Sequence, residues 1–416
     1  MYRSIRTTIA MAGALWLVTA CGTSAEQPVP PGPTESSTAA APSTAAEPVV
    51  LTPVLAQVIA PPIPVPATDG RVHLAYELQL TNVLDQDVTV VSVDAKAGDR
   101  TLLSLAGDKL AYWMRRAGNP APTTSLGPAQ SGYVWLDVVV DPPTDGNQTV
   151  PQSLTHELVV EVSKPTPPLI PATVSSEVAP VTVSTRKPAV ISPPLDGPRW
   201  LDGNSCCDMT AHRMALNPLN GALWAAERFA IDYVQLSADG TVFTGDPSRP
   251  ESYPYFGADI HAVADGPVVA VIDGLPEQVA GRSPAGLPLD QYAGNHVVQD
   301  IGDGNYALYA HLKTGTVTVK PGDQLTDGQL IAKLGNSGNT DAPHLHFHVM
   351  STPDPLHSNG LPFVFKDFTL DGRLTSMDAL DPLLTGRPVT MAPGSQPRDE
   401  KNVSPLVLDV MTYARG

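Results

Sequence analysis

The sequence predicts a mainly β protein: a two-layer β-sandwich followed by a smaller antiparallel sheet. Three observations carry that expectation: apolar residues that alternate with period two, Asp-Gly turns between valine-rich runs, and a composition rich in proline and poor in charge. With 416 residues, and roughly 150 per domain as a prior, two folded parts plus linkers are expected. Proline is high at 44 residues, charge is low at 16%, and 42% of the chain is hydrophobic, so β-rich cores joined by stiff linkers fit better than a helical bundle. In the first part, Leu74, Tyr76, Leu78 and Leu80 alternate with Ala75, Glu77, Gln79 and Thr81. Val134, Leu136, Val138 and Val140 repeat the pattern, and Val159, Val160 and Val162 follow it more loosely. These are half-buried strands. They predict an immunoglobulin-like β-sandwich over residues 49–186, read as a spacer or binding domain because no titratable cluster is visible there. A proline-rich stretch from Lys164 to Pro194 marks the boundary. In the second part, residues 187–375, the turns at Asp265-Gly266, Asp273-Gly274 and Asp303-Gly304 separate valine-rich runs, which predicts antiparallel hairpins. Residues 376–416 read as an irregular tail.

The N-terminus reads as an export signal. Arg3 and Arg6 precede an apolar run from Ile9 to Ala20, too short for a comfortable permanent span. The run ends in Leu17-Val18-Thr19-Ala20-Cys21, which resembles a bacterial lipobox. That resemblance implies a signal peptide over 1–21, acylation of Cys21, and an exported protein held at the cell envelope by lipid. Residues 22–48, rich in Pro, Ala, Ser and Thr, read as a disordered tether. The remaining cysteines, Cys206 and Cys207, are neighbours; they could close a vicinal ring, stay reduced or touch a metal, and a structural role is favoured over a zinc site. A net charge of -17 argues against nucleic acid as a partner. Nothing in the sequence fixes the oligomeric state.

Chemistry concentrates in the second part, which holds eight of the ten histidines. In Pro343-His344-Leu345-His346-Phe347-His348-Val349, the three imidazoles would share one face of a strand and the apolar residues the other. Face neighbours lie about 7 Å apart, so one imidazole can hold a metal while the next faces its open side. Tyr309-Ala310-His311-Leu312 supplies another histidine after a strand. Asp232, within Arg228-Phe229-Ala230-Ile231-Asp232-Tyr233, is a carboxylate among apolar neighbours, costly to bury without a partner and satisfied by a metal.

Together, "IHAVADGPVVAVIDG", "GNHVVQDIGDGNYALYAHL" and "PGDQLTDGQLIAKLGNSGNTDAPHLHFHV" resemble the lysostaphin-type (LytM-like) zinc metallopeptidases over residues 200–350. The resemblance implies a small antiparallel β domain with a metal-binding groove, Zn²⁺ as cofactor, and cleavage of peptide bonds in peptidoglycan. It implies that His346 is a zinc ligand and that His344 and His311 are catalytic. The family's aspartate ligand falls on Asp232. His348 and Arg228 would lie around the site, Arg228 against Asp232 or a substrate carboxylate. A competing alignment uses Tyr255-Phe256-Gly257-Ala258-Asp259, and Asp232 is preferred. Either way the histidine that usually precedes the aspartate is missing, because Arg228 or Tyr255 stands in its place. His212 is the favoured replacement, with His261 weaker and an incomplete site the remaining outcome. A complete site implies hydrolysis by metal-activated water. The alternative is a non-catalytic lipoprotein of the same fold that binds wall peptide or regulates another wall hydrolase. A zinc-uptake lipoprotein would carry more exposed His and Asp tracts. The segments Gln235 to Pro254 and Leu275 to Gly294 are candidate groove covers.

Overall fold

The computed structural model describes residues 49–142 and 149–414. The expected export signal, with Cys21, and the expected tether at 22–48 lie outside the described residues. The protein is mainly β, as the alternation predicts. From Val50 onward the chain forms one compact unit. Among the described residues, no helix is long and apolar enough to cross a membrane.

The first part is built from two antiparallel five-stranded sheets. In one, Val72–Asn82 pairs along its length with Ser131–Val140, Leu74 standing opposite Val138 and Leu78 opposite Val134. In the other, Val88–Ala97 pairs with Ser153–Val162, which in turn pairs with Thr173–Thr182. Their inward residues, including Leu74, Tyr76, Leu78, Val90, Val134, Leu136, Leu158 and Val160, form a single core. Period-two alternation makes this possible, since each strand presents one apolar face to the opposing sheet.

The second part is organised by an eleven-stranded sheet. At its centre runs Leu345–Met350, with Ile231–Gln235 on one side and Tyr306–Ala310 on the other, both antiparallel. Beyond Tyr306–Ala310 come His296–Asp300 and Gly266–Ile272. Beyond Ile231–Gln235 come Gly197–Gly203, Asp409–Tyr413 and Phe368–Arg373. One face of this sheet packs Ile231, Tyr233, Tyr309, Leu345, Phe347 and Val349 into the main core. The other face carries Asp232 and the histidines.

The residues after 376, expected to be irregular, instead include a 3-10 helix, Met377–Thr385, and two strands of this sheet, Arg398–Glu400 and Asp409–Tyr413. Asp409–Tyr413 fills the place between Gly197–Gly203 and Phe368–Arg373, burying Val410, Met411 and Tyr413. So short a run carries little periodic signal, and one of its partners lies some two hundred residues upstream. Cys206 and Cys207 form a disulfide with each other and are buried in the main core.

The sheet is also held by a polar bolt. The buried Tyr309 hydroxyl donates to Gln299 Oε1 at 2.7 Å and accepts from the Val263 N–H at 2.8 Å. Tyr309→Phe removes the oxygen and leaves that N–H and that amide oxygen without a partner in a buried place. Urea unfolding is expected to report a loss of about 1–3 kcal/mol, the range for stranding buried polar groups.

Candidate metal centre and cleft

Strand register builds the site. Asp232 stands directly opposite His346, and Ala310 stands opposite His346 on the other side. Residues paired across antiparallel strands project to the same face, so the carboxylate and the imidazole meet there. His346 Nδ1 lies 2.9 Å from Asp232 Oδ1. His344, two residues earlier on the same face, brings Nε2 to 3.2 Å from the same oxygen. His348, two residues later, takes up the other side of His346, with Nδ1 2.9 Å from His346 Nε2.

His212 arrives from outside the sheet. It sits in the one-turn helix Ala211–Met214, capped by Thr210, whose hydroxyl oxygen accepts the Arg213 N–H. Its Nδ1 donates to the Ala230 carbonyl at 3.0 Å, and its Nε2 lies 3.3 Å from Asp232 Oδ2. The His212 and His346 rings meet edge to face at 4.7 Å. Asn204, which the sequence did not single out, donates to Asp232 Oδ2 at 2.9 Å.

His311 reaches the site by breaking the strand pattern. Ala310 shares the face of His346, so a regular strand would turn His311 away. Instead His311 has φ +59°, a left-handed conformation uncommon for a residue with a side chain. That turn brings its ring to 4.7 Å from His344 and lets Nδ1 donate to the Ser337 carbonyl at 2.8 Å. Ser337 is fixed by close backbone packing. Gly294 and Gly338, both at positive φ, touch so closely that a Cβ on Gly338 would lie 2.3 Å from the Gly294 nitrogen.

The sequence-predicted residues thus come together: His212, Asp232, His311, His344, His346 and His348 all line one cleft of about 330 Å³. Arg228 does not join them. It is buried and forks onto the carboxylate of Glu77, 151 residues away, because a buried guanidinium needs a partner and the sandwich supplies one. His261 pairs with Asp196 at 3.2 Å, and Asp259 pairs with Lys333, so neither belongs to the cluster. The Leu275 to Gly294 segment gives the cleft Ser283, Pro284, Tyr292 and Ala293, whereas the Gln235 to Pro254 segment lines none of it. Glu227 and Asp341, also missed in the sequence, add acidic walls.

Comparison with known proteins bears on the same region. Residues 253–358 match the family model described as Peptidase family M23. The chain carries an M23 peptidase domain. The matched stretch contains His311, His344, His346 and His348 and begins downstream of His212 and Asp232, which join the M23 residues through the fold. Among curated relatives, the chain is 36% identical over 67 residues to the peptidoglycan DD-endopeptidase ShyA of Vibrio cholerae, covering 16% of this chain and 15% of that protein. It is 34% identical over 98 residues to an uncharacterized metalloprotease of Haemophilus influenzae, covering 23% and 19%. The chain thus spans under a fifth of the length of either relative. Among solved structures it is similar to the catalytic domain of lysostaphin from Staphylococcus simulans, at 20% identity, with 38% of this chain and 80% of that chain covered and a TM-score of 0.19. A zinc containing peptidase from Vibrio cholerae is similar at 15% identity, covering 68% and 80%, with a TM-score of 0.25.

Electrostatics divides the imidazoles of the cleft into two groups. Burial works against charge on His212, but the Asp232 carboxylate, helped by Glu227, outweighs it and raises His212 to about 9. His344 is raised in the same way against its own burial. Burial also opposes charge on Asp232, yet His212 and His344 hold its carboxyl well below the usual range. His311 goes the other way: burial first, then repulsion from His344 and His346, keeps it neutral. His348 is likewise lowered by burial and by His346 and His212.

In the metal-free protein, His212 is therefore expected to stay protonated at pH 7–8. A histidine raised above its unfolded value near 6.5 stabilises the fold fully below 6.5, and that contribution is lost as pH rises through about 9. Imidazole NMR of the chelator-treated chain checks this. A His212 midpoint at or below 6.5 would contradict it.

Proposed function

We propose that this protein is a zinc-dependent endopeptidase that hydrolyses peptide bonds in peptidoglycan and remodels the cell wall. We further propose that it is exported and anchored at the envelope by lipid on Cys21, with residues 22–48 as a tether. One observation carries the enzymatic reading: donor atoms of His212, Asp232 and His346 lie within 4.8 Å of one another, in a cleft that also holds His311 and His344.

The donor set fits zinc. Two imidazole nitrogens and one carboxylate oxygen are the ligand types of three-protein-ligand catalytic zinc sites, which keep a further position open. Each ligand imidazole has an outer partner: the Ala230 carbonyl, which can only accept, fixes the tautomer of His212, and His348 lies against the other ring nitrogen of His346. When bound, the metal supplies Lewis acidity toward water and toward the scissile carbonyl.

The chain's own groups do the rest. His311 donates its Nδ1 proton to the Ser337 carbonyl, and His344 donates its Nδ1 proton to the Ala342 carbonyl at 2.8 Å. A carbonyl can only accept, so the neutral His311 ring has Nε2 left as a base, whereas His344, raised by the carboxylate beside its Nε2, carries a proton there. His311 Nε2 orients the attacking water and accepts its proton as oxygen bonds to the carbonyl carbon, and His344 gives a proton to the departing amine as the C–N bond breaks. Glu227 and Asp341 favour a peptide that brings a positive group into the cleft. The curated relative named as a peptidoglycan DD-endopeptidase supports peptidoglycan as the substrate class.

Purified full-length protein is expected to carry about one zinc per chain. His346→Ala and Asp232→Ala should abolish zinc uptake and cleavage of isolated peptidoglycan together. His311→Ala and His344→Ala should keep the zinc and lower cleavage by about 10²–10⁴-fold, the usual span for a lost proton-transfer group. Metal analysis and mass spectrometry of released fragments read both. A zinc-loaded chain that releases no fragments would overturn the reading.

A further inference from the structure

We propose that Glu77, on the sandwich strand Val72–Asn82, is a positioning residue for the metal centre, and that the peptidase cleft acquires its third ligand, His212, through the sandwich. The inference rests on the metal reading above and deepens it. Glu77 is fully buried and sits between two guanidinium groups from the second part of the chain. Arg213 Nη1 donates to Oε1 at 2.9 Å. Arg228 Nε donates to Oε1 at 3.0 Å and to Oε2 at 3.1 Å, and its Nη2 donates to Oε2. Arg213 Nη2 also donates to the Leu136 carbonyl, on the neighbouring sandwich strand, at 3.2 Å.

The two arginines flank the parts that orient His212. Arg213 is its immediate neighbour on the one-turn helix, and four residues of helix cannot hold their own geometry. Arg228 is the second residue of the turn Glu227–Ala230, closed by the Ala230 N–H donating to the Glu227 carbonyl at 2.9 Å. The Ala230 carbonyl in turn accepts from His212 Nδ1. One carboxylate therefore ties down both the helix that carries the imidazole and the segment that carries its hydrogen-bond acceptor. His346 and Asp232 need no such help, because sheet register already fixes them. His212 depends on its loop, the Thr210 cap and the clamp.

A buried Arg–Glu–Arg group is weak evidence for stability, since apolar residues of similar volume often replace one without loss. That separates a positioning role from a structural one. The test uses the full chain stripped of metal, with Co²⁺ as probe. The triple variant Glu77→Met, Arg213→Leu, Arg228→Met removes the clamp while keeping a packed interior. Arg213→Lys, which keeps the buried charge and loses the fork, is the second variant. Both are expected to melt cooperatively, to bind Co²⁺ about 10–100-fold more weakly than the parent, and to shift its visible absorption, as loss of an outer partner of a metal ligand does. A crystal structure of the triple variant is expected to have His212 Nε2 drawn away from Asp232. Folded variants with the parent's Co²⁺ affinity and spectrum, and with His212 still beside Asp232, would overturn the proposal. A parent chain that takes up no Co²⁺ would sink the metal reading instead, and the His212 position in the variant would still decide this one.

Discussion

Pairing between Ile231–Gln235 and Leu345–Met350 is the constraint on which the cleft depends. Side chains on a strand alternate faces, so a slip of one residue would carry Asp232 into the space now filled by Ile231 and Tyr233. That space is the main core, where a carboxylate without a partner is costly. The apolar face thus locks the register, and the register delivers Asp232 to His346. The same alternation puts Leu345, Phe347 and Val349 inside and His344, His346 and His348 in the cleft, so a single strand serves as core element and as chemical element at once.

Electrostatics then differentiates side chains of one type. His212 and His344 face the Asp232 carboxylate and gain basicity, whereas His311 is buried behind two other imidazoles and loses it. Environments that push like groups apart are how a fold sets up distinct acid and base roles. Without a metal, the raised His212 and His344 offset the Asp232 carboxylate and hold the cluster together.

Much of this was legible in the sequence because period two is a strong signal. The His344-His346-His348 face follows directly from alternation, and Asp232 stood out as a carboxylate among apolar neighbours. His212 could be nominated as a replacement ligand but not positioned, since what brings it to Asp232 is a four-residue helix held from elsewhere. The orientation of His311 was not readable either; alternation alone points it the wrong way, and only its positive φ turns it back. Arg228 was read toward the site because it stands where the family's first histidine would, four residues before Asp232. Its actual partner, Glu77, is a contact of large sequence separation that no local pattern encodes. Asp409–Tyr413 was missed for the same reason, its place being set by strands far away along the chain.

The strand Val72–Asn82 shows why the sandwich is more than an independent module. Leu74, Tyr76 and Leu78 point into the sandwich core. The intervening positions would ordinarily meet solvent, and in an isolated sandwich Ala75 and Glu77 would do so. Here Ala75 joins the main core of the second part, and Glu77 is closed off by Arg213 and Arg228. A glutamate reads as an outward residue in a half-buried strand, and on its own strand it is one. It becomes interior only because the second part packs over that face, so its burial is a property of the assembled chain. Detaching the sandwich would leave two buried arginines without their carboxylate, beside the loop that carries His212.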